Sequence, residues 1–302
     1  MGNSSWSNDA YNHLRANYST KSTAQVFGNR NIDKDMSPRG IAFRESRDSA
    51  AHPESLAIGV FLDETGSMGT IPDVLVRQKL GNLMNTLIAH GVPDAQVLFG
   101  GIGDQYADNS PLQVGQFESG TDELNNWLTK IFLEGGGGGQ SMESYALAWL
   151  FFARHTSIDC FEKRNQKGFL FTIGDEGVHK MLERDFLSNL LGYQFYEDIP
   201  AEQLLAEAQR MYHVFHLHVT ETGSSVGIAA GWRKLLQERL IIVEDHNNIA
   251  EIIASTVAVV MGADLKKVVA AFDTTTAKQV TNALVQINNG VITGQQSGIV
   301  SL

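Results

Sequence analysis

Short apolar runs alternate with amphipathic stretches along the chain from Ser55 onward. A nearly continuous apolar run bounded by turn residues is typical of a strand buried on both faces of a sheet. Runs of this kind predict strands in LAIGVFL (56–62), AQVLFGGIG (95–103), GFLFTIG (168–174), HVFHLHV (213–219) and LIIVE (240–244). The segment LQVGQF (112–117) instead alternates apolar and polar residues, which predicts an edge strand.

Helical spacing of apolar residues fills the intervals between these runs. It predicts helices near 71–90, 121–133, 144–156, 180–191, 201–211, 228–239 and 247–261. Strands that alternate with helices in this way predict an α/β fold. We expect a doubly wound, Rossmann-like, mostly parallel sheet with one antiparallel edge strand. Ligands of such sheets bind beyond the carboxyl ends of the strands.

The pattern divides the chain into three parts. Residues 1–53 form a polar N-terminal arm, with one or two short helices and a short extended piece within 39–49. Residues 54–262 hold the alternating strands and helices, and residues 263–302 form a tail with helical stretches near 265–272 and 277–287. We therefore expect one α/β domain with an arm and a helical tail.

Composition and charge exclude some classes of binding partner and indicate a cellular compartment. The formal net charge of −11 argues against nucleic acid and anionic lipid as partners, because both require clustered Lys and Arg. No segment reaches the roughly 18 consecutive apolar residues of a membrane span. Cys160 is the single cysteine, so the chain can form neither an internal disulfide nor a cysteine-based zinc site. Its first ten residues lack the apolar stretch of a secretory signal. We expect a cytoplasmic protein.

Oxygen-bearing side chains are concentrated directly after the first buried strand. Asp63, Thr65 and Ser67 stand at alternate positions of the segment DETGSMG. Carboxylate and hydroxyl oxygens are the ligands that Mg²⁺ and Mn²⁺ prefer in proteins. Gly66 and Gly69 allow the backbone to turn sharply enough to bring these oxygens around one ion. The segment therefore predicts a site for Mg²⁺ or Mn²⁺.

An apolar strand followed by D-x-T-x-S-M-G resembles the metal-ion-dependent adhesion site of the von Willebrand factor A (vWA) family, whose pattern is D-x-S-x-S. The resemblance covers roughly residues 55–262. The segment TIGDEG (172–177) is similar to the strand-then-Asp-Gly signature of that family, which makes Asp175 the second acid. The loop before the apolar helix 144–156 offers Glu143, with Ser141 as the alternative.

The same loop departs from the family pattern. Gln140 and Met142 stand where one variant of the family has Asp and Pro. This departure puts an adjacent second metal site in doubt.

The resemblance also implies roles for these residues. The hydroxyls of Thr65 and Ser67 would bind the ion directly, Asp63 and Asp175 would act through bound waters, and Glu143 or Ser141 would complete the protein ligands. The remaining position would accept an Asp or Glu of a partner protein. The arm and residues 103–119 are similar to bacterial and phage vWA proteins associated with MoxR-type AAA+ ATPases, which implies an AAA+ ATPase as a partner.

Two other functions compete with a metal-dependent binding module. The chain could be a structural subunit of a bacterial or phage assembly, or a metal-dependent phosphohydrolase. An aspartyl-phosphate enzyme uses a second acid two residues after its nucleophile, and Thr65 occupies that position. Since the pattern pairs no nucleophile with a general base, we expect a binding protein and not an enzyme.

Other candidate sites have simpler interpretations. No Lys-Ser or Lys-Thr follows the glycines at 135–139, which excludes a P-loop. No acidic or cysteine partner lies near His213, His216 and His218 in the sequence, so we expect structural histidines and not a zinc site. We expect Asp104 and Asp108 to be solvated loop acids.

Overall fold

A computed structural model of the chain describes residues 4–66, 68–135, 141–221 and 226–294. Its strands are β1 (Arg44–Ser46), β2 (Leu56–Asp63), β3 (Ala95–Ile102), β4 (Leu112–Val114), β5 (Met142–Glu143), β6 (Thr156–Ile158), β7 (Gly168–Gly174), β8 (Gly177–Val178), β9 (Met181–Leu182), β10 (Ile199–Pro200), β11 (Tyr212–Val219) and β12 (Leu240–Val243). Its α-helices are α1 (Asn8–Tyr18), α2 (Thr23–Val26), α3 (Thr70–Val74), α4 (Leu80–Ala89), α5 (Thr121–Thr129), α6 (Ala146–Arg154), α7 (Asp159–Arg164), α8 (Arg184–Leu191), α9 (Ala201–Ala208), α10 (Val226–Leu236), α11 (Ile249–Val260), α12 (Leu265–Val269) and α13 (Thr274–Gly294).

The central sheet has six strands in the order β12-β11-β7-β2-β3-β4. All neighbouring pairs are parallel except β3 and β4, which are antiparallel. Every residue of β2, β3 and β7 is buried, because helices cover both faces of the sheet. The α/β class, the mostly parallel sheet and its antiparallel edge strand are confirmed.

The chain reverses its direction of winding at β2. It continues from β2 to β3 on one side, and it later returns to place β7 on the other side. Such a switch point leaves a crevice beyond the carboxyl end of the strand, which is where ligands of α/β sheets bind. Asp63 is the last residue of β2 and therefore lies at this crevice.

The helix predicted near 71–90 is not a single α-helix. A π-helical turn, Leu75–Lys79, separates α3 from α4. A π-helical turn is wider than an α-helical one and accommodates an extra residue, so the apolar spacing on either side changes phase. The loose helical spacing of the apolar residues in this segment follows from that interruption.

Lys79, at the end of the π-helical turn, forms a buried ion pair with α11. Its Nζ lies 2.7 Å from Oε1 of Glu251, which is 1% exposed. The side-chain amide of Asn82 donates to the same oxygen at 2.6 Å. This pair connects α4 to α11, and the two helices pack against each other.

We expect Lys79→Met to destabilise the protein by about 3–5 kcal/mol, because it leaves the Glu251 carboxylate buried without its cation. The double variant Lys79→Met/Glu251→Leu should recover most of that loss, since it removes both charges. Urea unfolding measures both effects. Lys266→Met, at an exposed lysine, is the matched control. Equal losses in the single and the double variant would contradict a role for the charge.

The arm and the tail both contribute to the hydrophobic core. Within the arm, β1 pairs in parallel with β6, and the buried Tyr11 hydroxyl donates to the carbonyl oxygen of Val76 at 3.3 Å. Within the tail, Val280 and Leu284 are fully buried. None of the helices described is long and apolar enough to cross a membrane. The Gly/Ser/Gln-rich end of the tail, from residue 295, lies outside the described residues.

Candidate metal centre

The Asp63 carboxylate is fixed by hydrogen bonds at the end of β2. It is 1% exposed. Its Oδ1 accepts from the backbone N–H of Thr65 at 2.9 Å and from the Thr65 hydroxyl at 2.6 Å. Its Oδ2 accepts from the Tyr145 hydroxyl at 2.7 Å. Because the Thr65 hydroxyl directs its proton at Asp63, its lone pairs are left for a cation.

Glu143 is positioned by a two-residue strand. Its strand β5 pairs in parallel with β8, and its carbonyl oxygen accepts from the backbone N–H of His179 at 3.1 Å. The side chain is 3% exposed, and its Oε2 is buried without a hydrogen-bond partner among the described residues. A buried carboxylate oxygen without a partner is costly unless a cation or a proton compensates it.

Asp175 follows the end of β7, the strand that neighbours β2. It is 5% exposed, and its Oδ1 is buried and has no hydrogen-bond partner in the part of the chain described. Two of the predicted acids, Glu143 and Asp175, thus each present a buried oxygen with no donor.

The Tyr145 hydroxyl donates to Asp63 and lies within the electrostatic influence of the other two acids. Burial raises its pKa well above the ordinary value, and the negative charges of Asp63, Glu143 and Asp175 raise it further. Gly174 makes room for this arrangement, because a Cβ there would lie 2.7 Å from Oδ2 of Asp63 and would overlap the Tyr145 hydroxyl. Tyr145 was not among the predicted site residues, and its position two residues after Glu143 was the available signal.

Burial, and then mutual repulsion, raise the pKa values of Asp63 and Glu143. Burial raises the pKa of Asp63 to about 6, and the charge of Asp175 adds to this effect. Burial raises the pKa of Glu143 to about 10, with the charges of Asp63 and Asp104 as the next causes. At neutral pH, this arrangement therefore favours binding either protons or a cation.

Neither a scan against family models nor a search of curated proteins finds a match. Among solved structures, the chain is similar to the pilus adhesin SpaC from Lactobacillus rhamnosus GG, with 11% identity and a TM-score of 0.44 over 70% of this chain and 31% of that one. It is also similar to proximal thread matrix protein 1 from the mussel byssus, with 7% identity and a TM-score of 0.43 over 69% of this chain and 47% of that one. The chain spans less than half of either protein.

The remaining predicted ligands are placed differently. Ser141 is exposed, with a φ of 55°, and its carbonyl oxygen accepts from the backbone N–H of Gly177 at 3.1 Å. Ser67 lies outside the described residues, so its role stays a prediction. The structure thus brings together Asp63, Thr65, Glu143 and Asp175 and leaves Ser141 at the surface.

The carboxylates do not crowd as closely as in a purely carboxylate-bound metal site. Among the described residues, one group of three acidic, histidine or cysteine side chains has its ligand atoms within 4.8 Å of one another: Glu221, Asp245 and His246. That group is explained by local structure, since Asp245 caps a short helix and Glu221 contacts His246. The wider spacing of the acids near Asp63 suits a site in which hydroxyls and waters bridge carboxylates to the ion.

Asp104 is not a solvated loop acid, so that expectation is wrong. It is 1% exposed, and its Oδ1 lies 2.8 Å from Nε2 of His179. Asp108 accepts from the backbone N–H of Asp104 at 2.6 Å, which turns the loop inward. A Cβ at Gly103 would lie 2.5 Å from Oδ2 of Asp108. Glycine at 103 therefore permits this inward turn.

Two histidines of β11 pack in the core of the molecule. His216 and His218 are fully buried, and the ring of His216 stacks on Trp232 with 3.7 Å between ring centres. Burial lowers the pKa of His216 well below its ordinary value, so its ring is neutral. Trp232 also contacts the edge of Tyr145, at 5.4 Å between ring centres. This stacked group supports Tyr145 and, through it, Asp63.

Proposed function

We propose that this chain is a metal-dependent protein-binding module of the vWA type. One Mg²⁺ or Mn²⁺ at the carboxyl ends of β2 and β7 captures an Asp or Glu of a partner protein. The observation that carries the proposal is the buried Oε2 of Glu143, which has no donor among the described residues and lies in a field of acidic charge. A divalent cation satisfies that oxygen and removes the repulsion between the neighbouring acids.

The ligand roles are those that the resemblance to the vWA family implies. The hydroxyls of Thr65 and Ser67 would bind the ion directly, while Asp63 and Asp175 would hold its waters. Glu143 fits the remaining protein ligand better than Ser141, because its carboxylate is buried near Asp63 whereas Ser141 is exposed. When bound, the ion supplies a positive charge and an open coordination position. A carboxylate of the partner would then form a charge-assisted contact in a partly desolvated place.

A groove next to the site gives a partner further surface to contact. Its volume is about 710 Å³, and Ser141 lies on its wall with Met142, Val178, Trp232 and Leu235. A partner would be recognised by two contacts at once: its acidic side chain on the ion and a neighbouring apolar side chain in this groove. An AAA+ ATPase is the partner class that we propose from the sequence resemblance.

The experiment begins with calorimetric titration of Mg²⁺ and Mn²⁺ into chelator-treated protein. Wild type and Asp122→Ala, at an exposed acid in the first turn of α5, should bind the ion equally. Asp63→Ala should bind it about 100-fold more weakly, because it loses the carboxylate that holds Thr65 in place.

The second stage tests protein binding. A displayed library of peptides containing Asp or Glu is selected on the protein with Mg²⁺ and eluted with EDTA. We expect peptides that are released by EDTA and fail to bind Asp63→Ala. Wild-type metal affinity in Asp63→Ala would overturn the proposal, and so would Mg²⁺-dependent turnover of a phosphate ester by the wild type but not by Asp63→Ala.

A further inference from the structure

Three cationic residues stand just before three adjacent strands of the central sheet. Lys167 precedes β7, Arg210 lies two residues before β11, and Arg239 precedes β12. These strands are neighbours and parallel, in the order β12-β11-β7. Their amino ends therefore lie at the same edge of the sheet, opposite the edge that carries Asp63.

The three side chains line one depression of about 500 Å³. Its wall also contains amides, apolar groups and one acid: Gln209, Gln237, Ala206, Leu235, Leu236 and Glu238. Three positive charges less the one negative charge of Glu238 leave a local formal charge of +2. This charge contrasts with the net −11 of the chain.

The cations of this basic depression form no ion pair with an acid among the described residues. The ion pairs that the structure shows are made by other lysines and arginines than Lys167, Arg210 and Arg239. Lys167 donates from Nζ to the carbonyl oxygen of Gln209 at 2.7 Å. The Arg239 guanidinium lies over the ring of Phe215, 5.8 Å from its centre, and the charge of the neighbouring Glu238 acts on it.

The cations also repel one another. Burial lowers the pKa of Lys167, and the charge of Arg239 lowers it further. Burial lowers the pKa of His213 to about 4, with Arg239 and then Lys167 as further causes. With Glu238 as the one acid in the wall, these cations are incompletely compensated, and an anion that joins them relieves their repulsion.

The backbone at the rim is held in an uncommon conformation. Gln237 has a φ of 55°, in the left-handed region that a residue other than glycine seldom adopts. It begins the short 3₁₀ turn Gln237–Arg239, which ends at the arginine. A left-handed residue commonly ends a helix, and Gln237 directly follows the last residue of α10.

We propose that the basic depression binds a small molecule that carries a phosphate group, with Arg239 and Lys167 as its main contacts and Arg210 at its exposed rim. The planar guanidinium of arginine matches two oxygens of one phosphate, and lysine adds a point charge. A volume of about 500 Å³ falls within the range of small-molecule sites. A dianionic phosphate balances the local charge of +2.

The test uses inorganic pyrophosphate as the probe and EDTA throughout, so that the metal centre at the other edge of the sheet takes no part. Calorimetric titration should show saturable binding of one pyrophosphate per chain, and chloride at the same ionic strength should show none. Arg239→Gln and Lys167→Gln should each weaken binding about tenfold, through loss of one charge-assisted contact. Lys266→Gln, at an exposed lysine, should change it less than about twofold.

Several outcomes overturn the proposal. These are the absence of saturable binding, equal weakening in Lys266→Gln, and unchanged affinity in both folded variants, with folding checked by the urea midpoint. A vesicle arm with phosphatidic acid in phosphatidylcholine separates a free phosphate from a lipid headgroup. Binding to these vesicles without binding of soluble pyrophosphate would assign the depression to a membrane surface instead. Pyrophosphate binding is measured in EDTA, so it does not depend on whether the metal-site variants bind Mg²⁺.

Discussion

Glu143→Gln is expected to stabilise the metal-free protein and to abolish its response to Mg²⁺. The pKa of Glu143 is raised to about 10 from an ordinary value of 4.5, so the folded state binds a proton that the unfolded state releases. Its contribution to stability is therefore complete below about pH 4.5 and is lost as the pH rises toward 10. Gln does not ionise, so at pH 8 the variant should gain on the order of 3 kcal/mol in the free energy of unfolding.

Urea unfolding at pH 5 and pH 8, with EDTA and with Mg²⁺, measures this effect. The gain in EDTA should be large at pH 8 and small at pH 5, and Mg²⁺ should stabilise wild type but not Glu143→Gln. Glu197→Gln, at an exposed glutamate, is the matched control and should behave as wild type. An equal gain at both pH values would show that Glu143 acts through packing and not through its charge.

The strands of the central sheet were predictable because burial on both faces leaves an apolar run in the sequence. The run at 56–62 corresponds to β2 (Leu56–Asp63), and the run at 168–174 corresponds to β7. The short extended piece predicted within 39–49 corresponds to β1, but its pairing with β6 and the pair β5–β8 were not predicted. Strands of two or three residues carry no periodic signal, and long-range contacts alone determine where they form.

The candidate site was predictable to the extent that it lies at strand ends. Asp63 and Asp175 follow buried strands, and the carboxyl ends of parallel strands meet at one edge of the sheet. The spacing of Tyr145 from Glu143 did not predict its hydrogen bond to Asp63, because that bond depends on how closely Tyr145 approaches Gly174. The burial of Asp104 was not predicted either, because its loop has no apolar pattern in the sequence.

Acidic and basic clusters lie at opposite edges of the central sheet. Asp63, Glu143 and Asp175 converge at the carboxyl ends, whereas Lys167 and Arg239 lie at the amino ends. Each group is unfavourable alone, because like charges repel where burial weakens solvent screening. A cation at one edge and an anion at the other relieve both, so the two proposed ligands should stabilise the same fold independently.

Gly174→Ala is expected to lower Mg²⁺ affinity about 100-fold and to destabilise the metal-free protein by about 1–3 kcal/mol. The added Cβ would lie 2.7 Å from Oδ2 of Asp63 and would overlap the Tyr145 hydroxyl. Both groups must shift, which breaks the hydrogen bond that holds the Asp63 carboxylate. Calorimetric Mg²⁺ titration and urea unfolding measure the two effects separately.

A second substitution distinguishes strain from loss of the hydrogen bond. Gly174→Ala/Tyr145→Phe removes the overlapping hydroxyl, so it should recover part of the lost stability without recovering Mg²⁺ affinity, because Asp63 still lacks its donor. Gly231→Ala is the matched control, since its added Cβ on α10 has no atom within 4 Å among the described residues outside the neighbouring backbone of its own helix. It should keep wild-type affinity and gain about 0.5–1 kcal/mol in helix stability. Wild-type affinity in Gly174→Ala would mean that the Tyr145–Asp63 hydrogen bond does not position the metal ligands.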